Sequence, residues 1–296
     1  MKISLSLILI FISLLANAQL STVLKNSLTK QPVSYANIWI LGENIGTTAD
    51  ENSNFTFDNS VKNKRITISC VGFDRREIVF NASSKTIYLK RAGNLLKEVS
   101  VTPRLRNKIL VVNRLSKNKW KPSFENGGNP WLMGRCFPFR EKYEVTPYIN
   151  QVKFFTRSRV SDAKFGIQLV SINKNGQPKK TLNSQPIYDF AKKRTSFTEI
   201  DISDLNIEMP ETGIIMAVEW IIVSKNRHEC TYFTKGKIPE EVKGVSYSPS
   251  FIASKLKSGE AAWSYSRGTL RNDKQIRNPD SKIHNRTVAI ELTLSN

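Results

Sequence analysis

The few residues of this chain that could bind a metal ion are the first candidates for chemistry. His228, Glu229 and Cys230 are consecutive, and side chains of these three types are common ligands of zinc. Neighbouring residues of a β-strand point to opposite faces, so three consecutive side chains rarely meet at one ion. We therefore interpret this segment as a loop or hairpin tip, and the lone His284 as a surface residue. The sequence predicts no metal ion and no cofactor.

Paired carboxylates are a second possible source of chemistry, because two acids that flank a glycosidic bond can hydrolyse it. Asp201 with Glu219 is one such pair in the second half of the chain. With 25 acidic residues such pairs are easy to find, and the sequence does not place them in one cleft. The chain has no Gly-x-Ser-x-Gly and no His-Glu-x-x-His motif. We expect a protein that is not an enzyme, with a glycoside hydrolase or other hydrolase as the alternative.

Exposed aromatic rings offer a non-catalytic chemistry, since they can stack on the faces of sugar rings. The candidates for such stacking are Trp131, Trp220, Tyr247, Trp263 and Tyr265. Trp263 and Tyr265 are two positions apart, so they share one face of a strand. An aromatic side chain also buries a large area in a protein core, and the sequence favours the core over the binding platform.

The elements that must position these residues are predicted to be β-strands throughout. In the first half, Ile66, Ile68 and Cys70 recur with the period of two that a half-buried strand requires. About seven short strand-like runs separated by turn residues predict a small antiparallel sandwich. About nine further runs predict a larger, jelly-roll-like sandwich in the second half. The predicted fold class is all-β, with a short helix that links the two sandwiches.

A series of motifs in the first half resembles the carboxypeptidase-like regulatory domains of Bacteroidetes envelope proteins. The motifs lie at residues 29–38, 45–55, 68–73 and 96–101. The resemblance implies a transthyretin-like sandwich of about seven strands, without catalytic residues. Ser53 stands where the family usually has a glycine. Because a turn glycine often has a positive φ, we expect a slightly strained or reshaped turn at Ser53.

The same module precedes the TonB-dependent receptors of the outer membrane in Bacteroidetes, and we expect it here without the transporter. The second half, through residues 164–220, resembles the C-terminal halves of uncharacterised Bacteroidetes envelope proteins. This second resemblance implies a β-sandwich and assigns no activity.

The first 18 residues have the order of a secretory signal peptide. Lys2 is followed by an apolar run at residues 3–15 and by the small-residue site Ala16-Asn17-Ala18. The run is shorter than the ~20 residues that span a bilayer. A buried N-terminal helix is the alternative. The signal peptide predicts an exported protein that is periplasmic or associated with the outer membrane.

The strong positive charge, +20, indicates either an anionic partner or a lysine-rich composition. Apolar residues at helical spacing predict the linking helix within the segment 104–121. Its basic residues could contact an anionic membrane surface, or could form the solvated face of a helix packed on its own domain. The basic residues proposed for this contact are Arg104, Arg106, Lys108, Arg114 and Lys117. We do not expect a nucleic-acid partner, because no nucleic-acid-binding motif is present.

The predicted organisation follows from these patterns. It comprises a signal peptide at 1–18, the regulatory-type sandwich at 19–102, a basic linker at 103–130 and the larger sandwich at 131–296. Of the three cysteines, Cys136 and Cys230 could pair after export, and Cys70 is expected to be a buried apolar residue. The predicted function is that of a binding or scaffold protein of the bacterial cell envelope. Its ligand would be a glycan or another envelope protein.

Overall fold

A computed structural model describes residues 20–81, 85–93, 106–116, 122–233, 240–257, 260–272 and 285–296. These residues form 22 β-strands and four short 3₁₀ turns, so the fold is all-β as the sequence predicts. No helix in this part of the chain has the length and apolar character needed to cross a membrane. The predicted signal peptide at 1–18 lies outside the described residues.

The first sandwich consists of two small sheets that enclose one apolar core. Its strands are β1 (Leu20–Asn26), β2 (Asn37–Ile40), β3 (Gly46–Thr48), β4 (Asn54–Phe57), β5 (Arg65–Ser69), β6 (Arg76–Val79) and β7 (Thr86–Leu89). The sheets have the orders β4-β1-β7 and β3-β2-β5-β6. Ile66 and Ile68 on β5 are buried in the core between them, as the period of two predicts.

Two details of this sandwich differ from the prediction or lie beyond the described residues. The strand β3 is only three residues long and begins at Gly46, a residue type that is more common in turns. The last of the four family motifs, at residues 96–101, lies outside the described residues. The turn at Ser53 has the expected unusual geometry, with φ of +67° at a fully buried serine. This confirms that a residue other than glycine occupies a left-handed position there.

The second sandwich has a seven-stranded and an eight-stranded sheet. Its strands are β8 (Ile109–Val112), β9 (Ser123–Asn126), β10 (Leu132–Phe137), β11 (Tyr148–Ser158), β12 (Ala163–Ile172), β13 (Pro178–Thr181), β14 (Ile187–Ala191), β15 (Arg194–Asp201), β16 (Ile214–Trp220), β17 (Arg227–Phe233), β18 (Glu241–Lys255), β19 (Ala262–Ser266), β20 (Thr269–Asn272), β21 (Arg286–Val288) and β22 (Ile290–Ser295). The first sheet follows the order β13-β12-β16-β10-β19-β20, with β14 on β12. The second follows β17-β18-β11-β22-β8, with β15, β21 and β9 attached.

The core of this sandwich lies between the two sheets, and β16 shows how both faces of the seven-stranded sheet are covered. Every residue of β16 is buried. Met216 and Trp220 point into the main core. Ile215 and Ala217 point to the opposite face, where they form a separate apolar cluster. A strand that is buried on both faces is expected to be apolar along its whole length. The sequence of β16 fits this expectation, with Glu219 as its single charged residue.

The predicted linking helix is wrong, because the segment forms the strand β8. Residues 109–112 pair with β22, from Ile109 opposite Ser295 to Val112 opposite Leu292. The strand β9 likewise pairs with β18. The larger sandwich therefore takes in residues from 109 onward and not only from 131. The apolar spacing that suggested a helix is equally satisfied by a strand that packs on the core, and pairing with β22 decides between them.

The two sandwiches contact each other through hydrogen bonds and close backbone packing. The backbone N–H of Ile222 donates to Thr48 Oγ1 at 3.0 Å. At Gly46, an added Cβ would lie 2.8 Å from the ring of Pro130, so only glycine permits this approach. The outer face of the seven-stranded sheet is therefore partly covered by the first sandwich.

Candidate functional site

The aromatic residues proposed for stacking do not form one exposed strip. Trp220 is fully buried, donates its indole N–H to the Pro249 carbonyl at 2.8 Å and packs edge-on against Phe251. Trp263 is 9% exposed and belongs to the cluster on the outer face of the seven-stranded sheet. Neither buried ring has a face free for a sugar, so these two residues are no longer candidates for stacking.

The other three stacking candidates are partly buried. Trp131 and Tyr247 pack against the main core of the larger sandwich. Tyr265 lies at the interface with the first sandwich, where its hydroxyl accepts a hydrogen bond from Arg75. These positions are more typical of packing than of an open binding platform.

The basic residues proposed for membrane contact do not share a helical face. Arg106 and Lys108 are exposed just before β8, and Arg114 is exposed just after it. Arg104 and Lys117 lie outside the described residues. Because the segment is a strand followed by loop, the amphipathic helix that motivated the membrane hypothesis is absent from the described part of this segment.

A cleft on the larger sandwich brings together residues that the sequence did not connect. The cleft has a volume of about 580 Å³ and lies on the eight-stranded sheet, where β9, β11, β17 and β18 meet. Its principal polar lining is formed by Glu125, Arg157, Arg159, His228, Tyr232 and Ser250. We call it the basic cleft.

The strand register explains why the two arginines share this cleft. Phe154 on β11 points into the main core, and Arg157 lies on the opposite face of the same strand. Arg159 lies just beyond the end of β11 and lines the same cleft as Arg157. Glu125 alternates in the same way with Phe124, which packs on the core. The cleft is thus the outer face of the sheet.

Tyr232 presents an aromatic ring at this cleft. The residue is 53% exposed, and its ring lies over Gly244 on the neighbouring strand. A Cβ at position 244 would come within 2.7 Å of the ring, so glycine is what allows the ring to lie against the strand. The result is an exposed aromatic ring supported from below by backbone.

His228 contributes a polar group whose orientation is fixed by its neighbours. Its Nδ1 lies 3.3 Å from Ser248 Oγ, and that oxygen accepts the backbone N–H of Arg159 at 3.1 Å. The Ser248 hydroxyl thus links the imidazole to the backbone of Arg159 and restricts the orientation of the ring. Burial lowers the pKa of His228 below its ordinary value, and Arg159 lowers it further against the opposing effects of Asn226 and Glu125. The imidazole is neutral at pH 7.

The rim of the cleft is a tight loop organised by Asn126. The Asn126 carboxamide oxygen accepts the N–H groups of Gly128 and Asn129 at 2.7 and 3.0 Å. The backbone oxygen of Asn126 accepts the Ser246 hydroxyl at 2.9 Å. Such side-chain bonds to the nearby backbone stabilise turns, so this rim is held in place before any ligand arrives.

Positive charge exceeds negative charge in and around the basic cleft. Arg157 and Arg159 face Glu125 within it, and an adjoining hollow adds Lys243 and Glu229. None of the ion pairs among the described residues includes Arg159. An anionic group that also carries hydroxyls matches this combination of guanidinium, carboxylate and aromatic ring.

The structure shows where the residues of the metal and carboxylate hypotheses lie. The segment 228–230 is part of the strand β17, so the prediction of a loop or hairpin tip is wrong. His228 and Cys230 line the basic cleft, as alternation along a strand requires. Asp201 and Glu219 lie on different sheets, and the structure does not bring them together as a pair. His284 lies outside the described residues.

The cysteines do not form the disulfide that was considered. Cys70, Cys136 and Cys230 are all free thiols. Cys136 is on β10 in the seven-stranded sheet, and Cys230 is on β17 in the other. Burial raises the pKa of Cys70 to about 12 and that of Cys136 to about 11. These two thiols stay protonated and are therefore unreactive at neutral pH.

Sequence reasoning did not identify Tyr232, Arg157 or Arg159. Arg157 on β11 and Tyr232 on β17 are far apart in the chain, and Arg159 lies just beyond β11, so no local motif contains all three. Gly244 is the one local signal. A glycine inside a strand pattern often marks a position where another group lies close to the backbone, and here that group is the Tyr232 ring.

Comparison with solved structures gives only weak similarity. The cysteine protease and lectin-like domains of Cwp84, a surface layer associated protein of Clostridium difficile, are 12% identical, with a TM-score of 0.37 over 58% of this chain and 33% of that chain. This chain therefore spans about a third of the length of that protein. Clostridial Cwp84 after propeptide cleavage is 11% identical, with a TM-score of 0.36 over 93% of this chain and 70% of that chain. The infectious bursal disease virus Gx strain structure is 10% identical, with a TM-score of 0.26 over 94% of this chain and 63% of that chain. Similarities at these TM-scores support no inference about function.

The family comparison concerns the first sandwich. No curated protein gives a significant match to the chain. Residues 22–101 match the model of the CarboxypepD_reg-like domain family. The match covers the strands β1 to β7 and the sequence motifs that carry the resemblance. Residues 22–101 of this chain are therefore a carboxypeptidase-like regulatory domain.

Proposed function

We propose that this protein is a non-enzymatic binding protein of the bacterial cell envelope that holds an acidic glycan in the basic cleft. The observation that carries the proposal is the Tyr232 ring, which is exposed over Gly244 beside Arg157 and Arg159. The regulatory-type domain is the second support, because such domains are β-sandwich modules without catalytic residues of their own.

The chemistry of the cleft suits the three kinds of group on an acidic sugar. Guanidinium groups bind a carboxylate or sulfate through charge-assisted hydrogen bonds. A carboxylate such as Glu125 and a hydroxyl such as Ser250 accept hydrogen bonds from sugar hydroxyls. The face of the Tyr232 ring provides apolar contact for the C–H groups of a pyranose.

Export and envelope location belong to the same proposal. The signal-peptide pattern at residues 1–18 supports export. The net charge of +20 would draw the protein toward the anionic polymers of an envelope and would speed encounter with an acidic ligand.

The test is calorimetric titration of the mature chain with a hexamer of galacturonic acid and with a neutral glucose hexamer. We expect the acidic hexamer to bind at least about tenfold more tightly, because only it can pair with the guanidinium groups. The double variant Arg157→Ala/Arg159→Ala should weaken binding by about tenfold or more. Equal affinity for the two hexamers would reject the proposal.

Two matched variants separate specific contacts from general charge. Lys179→Ala/Lys180→Ala removes the same charge from exposed positions on β13, in the other sheet, and should leave the affinity nearly unchanged. Tyr232→Phe should retain binding, and Tyr232→Ala should lose about tenfold, if the ring face makes the contact. Similar losses in the β13 variant and the arginine variant would mean that net charge alone attracts the glycan.

A further inference from the structure

A second cavity lies between the two sandwiches, away from the basic cleft. Its volume is about 280 Å³, and both domains contribute to its lining. Polar residues on its wall include Asn37, Cys70 and Arg75 from the first sandwich and Gln168, Glu219 and Tyr265 from the second. Leu132, Val170 and Phe73 are among its apolar residues.

Glu219 is the unusual member of this lining, because it is a carboxylate that is only 8% exposed. The Asn37 amide donates to its Oε1, and the Gln168 amide donates to its Oε2 at 3.3 Å. Gly166 on the neighbouring strand makes room for the group, since a Cβ there would lie 2.9 Å from Oε2. Two amides satisfy hydrogen bonds, but they carry no charge that could neutralise a carboxylate.

The cationic groups nearest to this cavity are committed to other acceptors. Arg75 donates to Thr67 Oγ1 at 2.9 Å, to the Gly268 carbonyl at 2.5 Å and to the Tyr265 hydroxyl. Lys164 donates to the Tyr35 hydroxyl at 2.9 Å. Among the described residues, Glu219 takes part in no ion pair.

The other titratable groups that face Glu219 are neutral. Burial, together with the smaller effect of Glu219, raises the pKa of the Cys70 thiol to about 12. The pKa of the Tyr188 hydroxyl is also raised, first by burial and then by Cys70, Glu219 and Tyr35. Both groups are protonated across the physiological range, so neither supplies nor removes charge beside Glu219.

A buried carboxylate without a counter-charge is costly, and a bound cation would offset that cost. We infer that the interdomain cavity binds a small primary amine with a short apolar chain, its ammonium group against Glu219 and its chain against Leu132 and Val170. The ammonium supplies the direct ion pair that Glu219 lacks, and the chain contacts the apolar part of the wall. Because both domains line the cavity, such a ligand would also hold the regulatory domain against the larger sandwich.

Proton linkage gives this site a characteristic pH dependence. Burial raises the pKa of Glu219 to about 7, against the smaller opposing effects of Gln168 and Asn37. The ionised carboxylate is the form that binds an ammonium group. Affinity for the amine should therefore fall about tenfold for each pH unit below 7 and level off above it.

The test uses n-hexylamine and 1-hexanol, which have similar size and differ in charge, in calorimetric titrations of the full chain at pH 8. We expect hexylamine to bind at least about tenfold more tightly than hexanol, and Glu219→Gln to remove that preference. Glu125→Gln removes a carboxylate from the basic cleft and should leave amine binding unchanged. Equal binding of the two compounds, or no binding of hexylamine at millimolar concentration, overturns the inference.

A second variant protects the test against loss of the fold. Val170→Phe fills the cavity without touching its charge and should abolish hexylamine binding while the unfolding midpoint stays close to that of the wild type. Retention of hexylamine binding in Val170→Phe would show that the amine binds elsewhere and would overturn the inference. The glycan titration of Glu219→Gln and Val170→Phe is independent of this outcome, because the basic cleft lies on the other sheet.

Discussion

The side-chain amide of Asn37 donates a hydrogen bond to the carboxylate of Glu219 although the two residues are 182 positions apart in the chain. The bond crosses from the regulatory domain to the larger sandwich. Thr48 adds two further hydrogen bonds to this contact. Its hydroxyl donates to Asn37 Oδ1 at 3.2 Å and accepts a hydrogen bond from the backbone N–H of Ile222. Asn37 and Thr48, which belong to two of the family motifs, thus connect the regulatory domain to the larger sandwich. The acceptor of the Asn37 hydrogen bond is the buried carboxylate of Glu219.

Glu219→Gln should change how stability depends on pH. The folded-state pKa of Glu219, about 7, lies above its ordinary value of 4.5, so the folded state binds this proton more tightly than the unfolded state. This proton contributes about 3 kcal/mol to the free energy of unfolding. The contribution is fully present below pH 4.5 and is lost as the pH rises through 7. Glutamine has no such proton. Urea unfolding at pH 5 to 8 should show the wild type losing about that much relative to the variant.

The control for this experiment is Glu125→Gln, which changes an exposed carboxylate. Its free energy of unfolding should differ from that of the wild type by a nearly constant amount across the same pH range. A constant difference for Glu219→Gln as well would contradict a raised pKa at the domain interface.

Ser53→Gly should stabilise the regulatory domain. Ser53 has φ of +67°, a conformation that glycine adopts without the steric cost of a Cβ. We expect the free energy of unfolding to rise by up to about 1 kcal/mol, reduced by the greater entropy of glycine in the unfolded chain. Ser53→Ala keeps the Cβ and should show no such gain in urea unfolding. Equal stabilities of the glycine and alanine variants would contradict backbone strain at this turn.

The buried ion pair of Arg135 and Glu260 should be sensitive to loss of either charge. The two side chains are 0% and 5% exposed, and their closest N and O atoms are 2.7 Å apart. Burial lowers the pKa of Arg135, while Glu260 raises it and helps to keep it charged. Glu260→Gln leaves a buried guanidinium without its counter-charge, which should cost about 3 kcal/mol in unfolding free energy.

An exposed pair in the first sandwich provides the comparison. Arg65 and Glu77 lie at 3.2 Å, with side chains that are 69% and 44% exposed. Glu77→Gln should therefore cost at most about 0.5 kcal/mol. If both substitutions have the same small effect, Arg135 is better solvated than its burial indicates.

Binding of an acidic glycan should be coupled to protonation of His228. The imidazole is neutral at pH 7 because burial and Arg159 lower its pKa. A bound anion favours the charged form and raises this pKa, so affinity should increase as the pH falls from 8 to 5, by about threefold to tenfold. Calorimetry of His228→Gln should show a smaller increase. An unchanged pH dependence in this variant would place the responsible group elsewhere.

The sequence predicts those parts of the fold that depend on local pattern. The period of two at Ile66 and Ile68 identifies β5, and the missing glycine at Ser53 identifies an unusual turn. The linking helix predicted within residues 104–121 is wrong, because the apolar residues that form β8 suit a helix as well as a strand. Only pairing with β22, at the other end of the chain, distinguishes the two.

The basic cleft and the interdomain cavity could not be predicted from the sequence, because each is formed by residues that are distant in the chain. Arg157 and Tyr232 come from different strands, and the strand order that brings them together is a tertiary property. Trp220 shows the reverse case, in which an aromatic residue suited to stacking is used for the core. The sequence predicts Glu219 only as one member of a possible carboxylate pair. Its hydrogen-bond partner Asn37 lies in the other domain, so the burial of Glu219 could not be predicted from residue spacing.

The most direct test of the basic cleft is the rate at which Cys230 reacts with iodoacetamide. Cys230 lines the cleft, whereas the raised pKa values of Cys70 and Cys136 keep those thiols unreactive. We predict that the galacturonic acid hexamer slows labelling of Cys230 in proportion to its occupancy, and that the neutral glucose hexamer does not. An unchanged labelling rate at saturating acidic hexamer would contradict binding in this cleft.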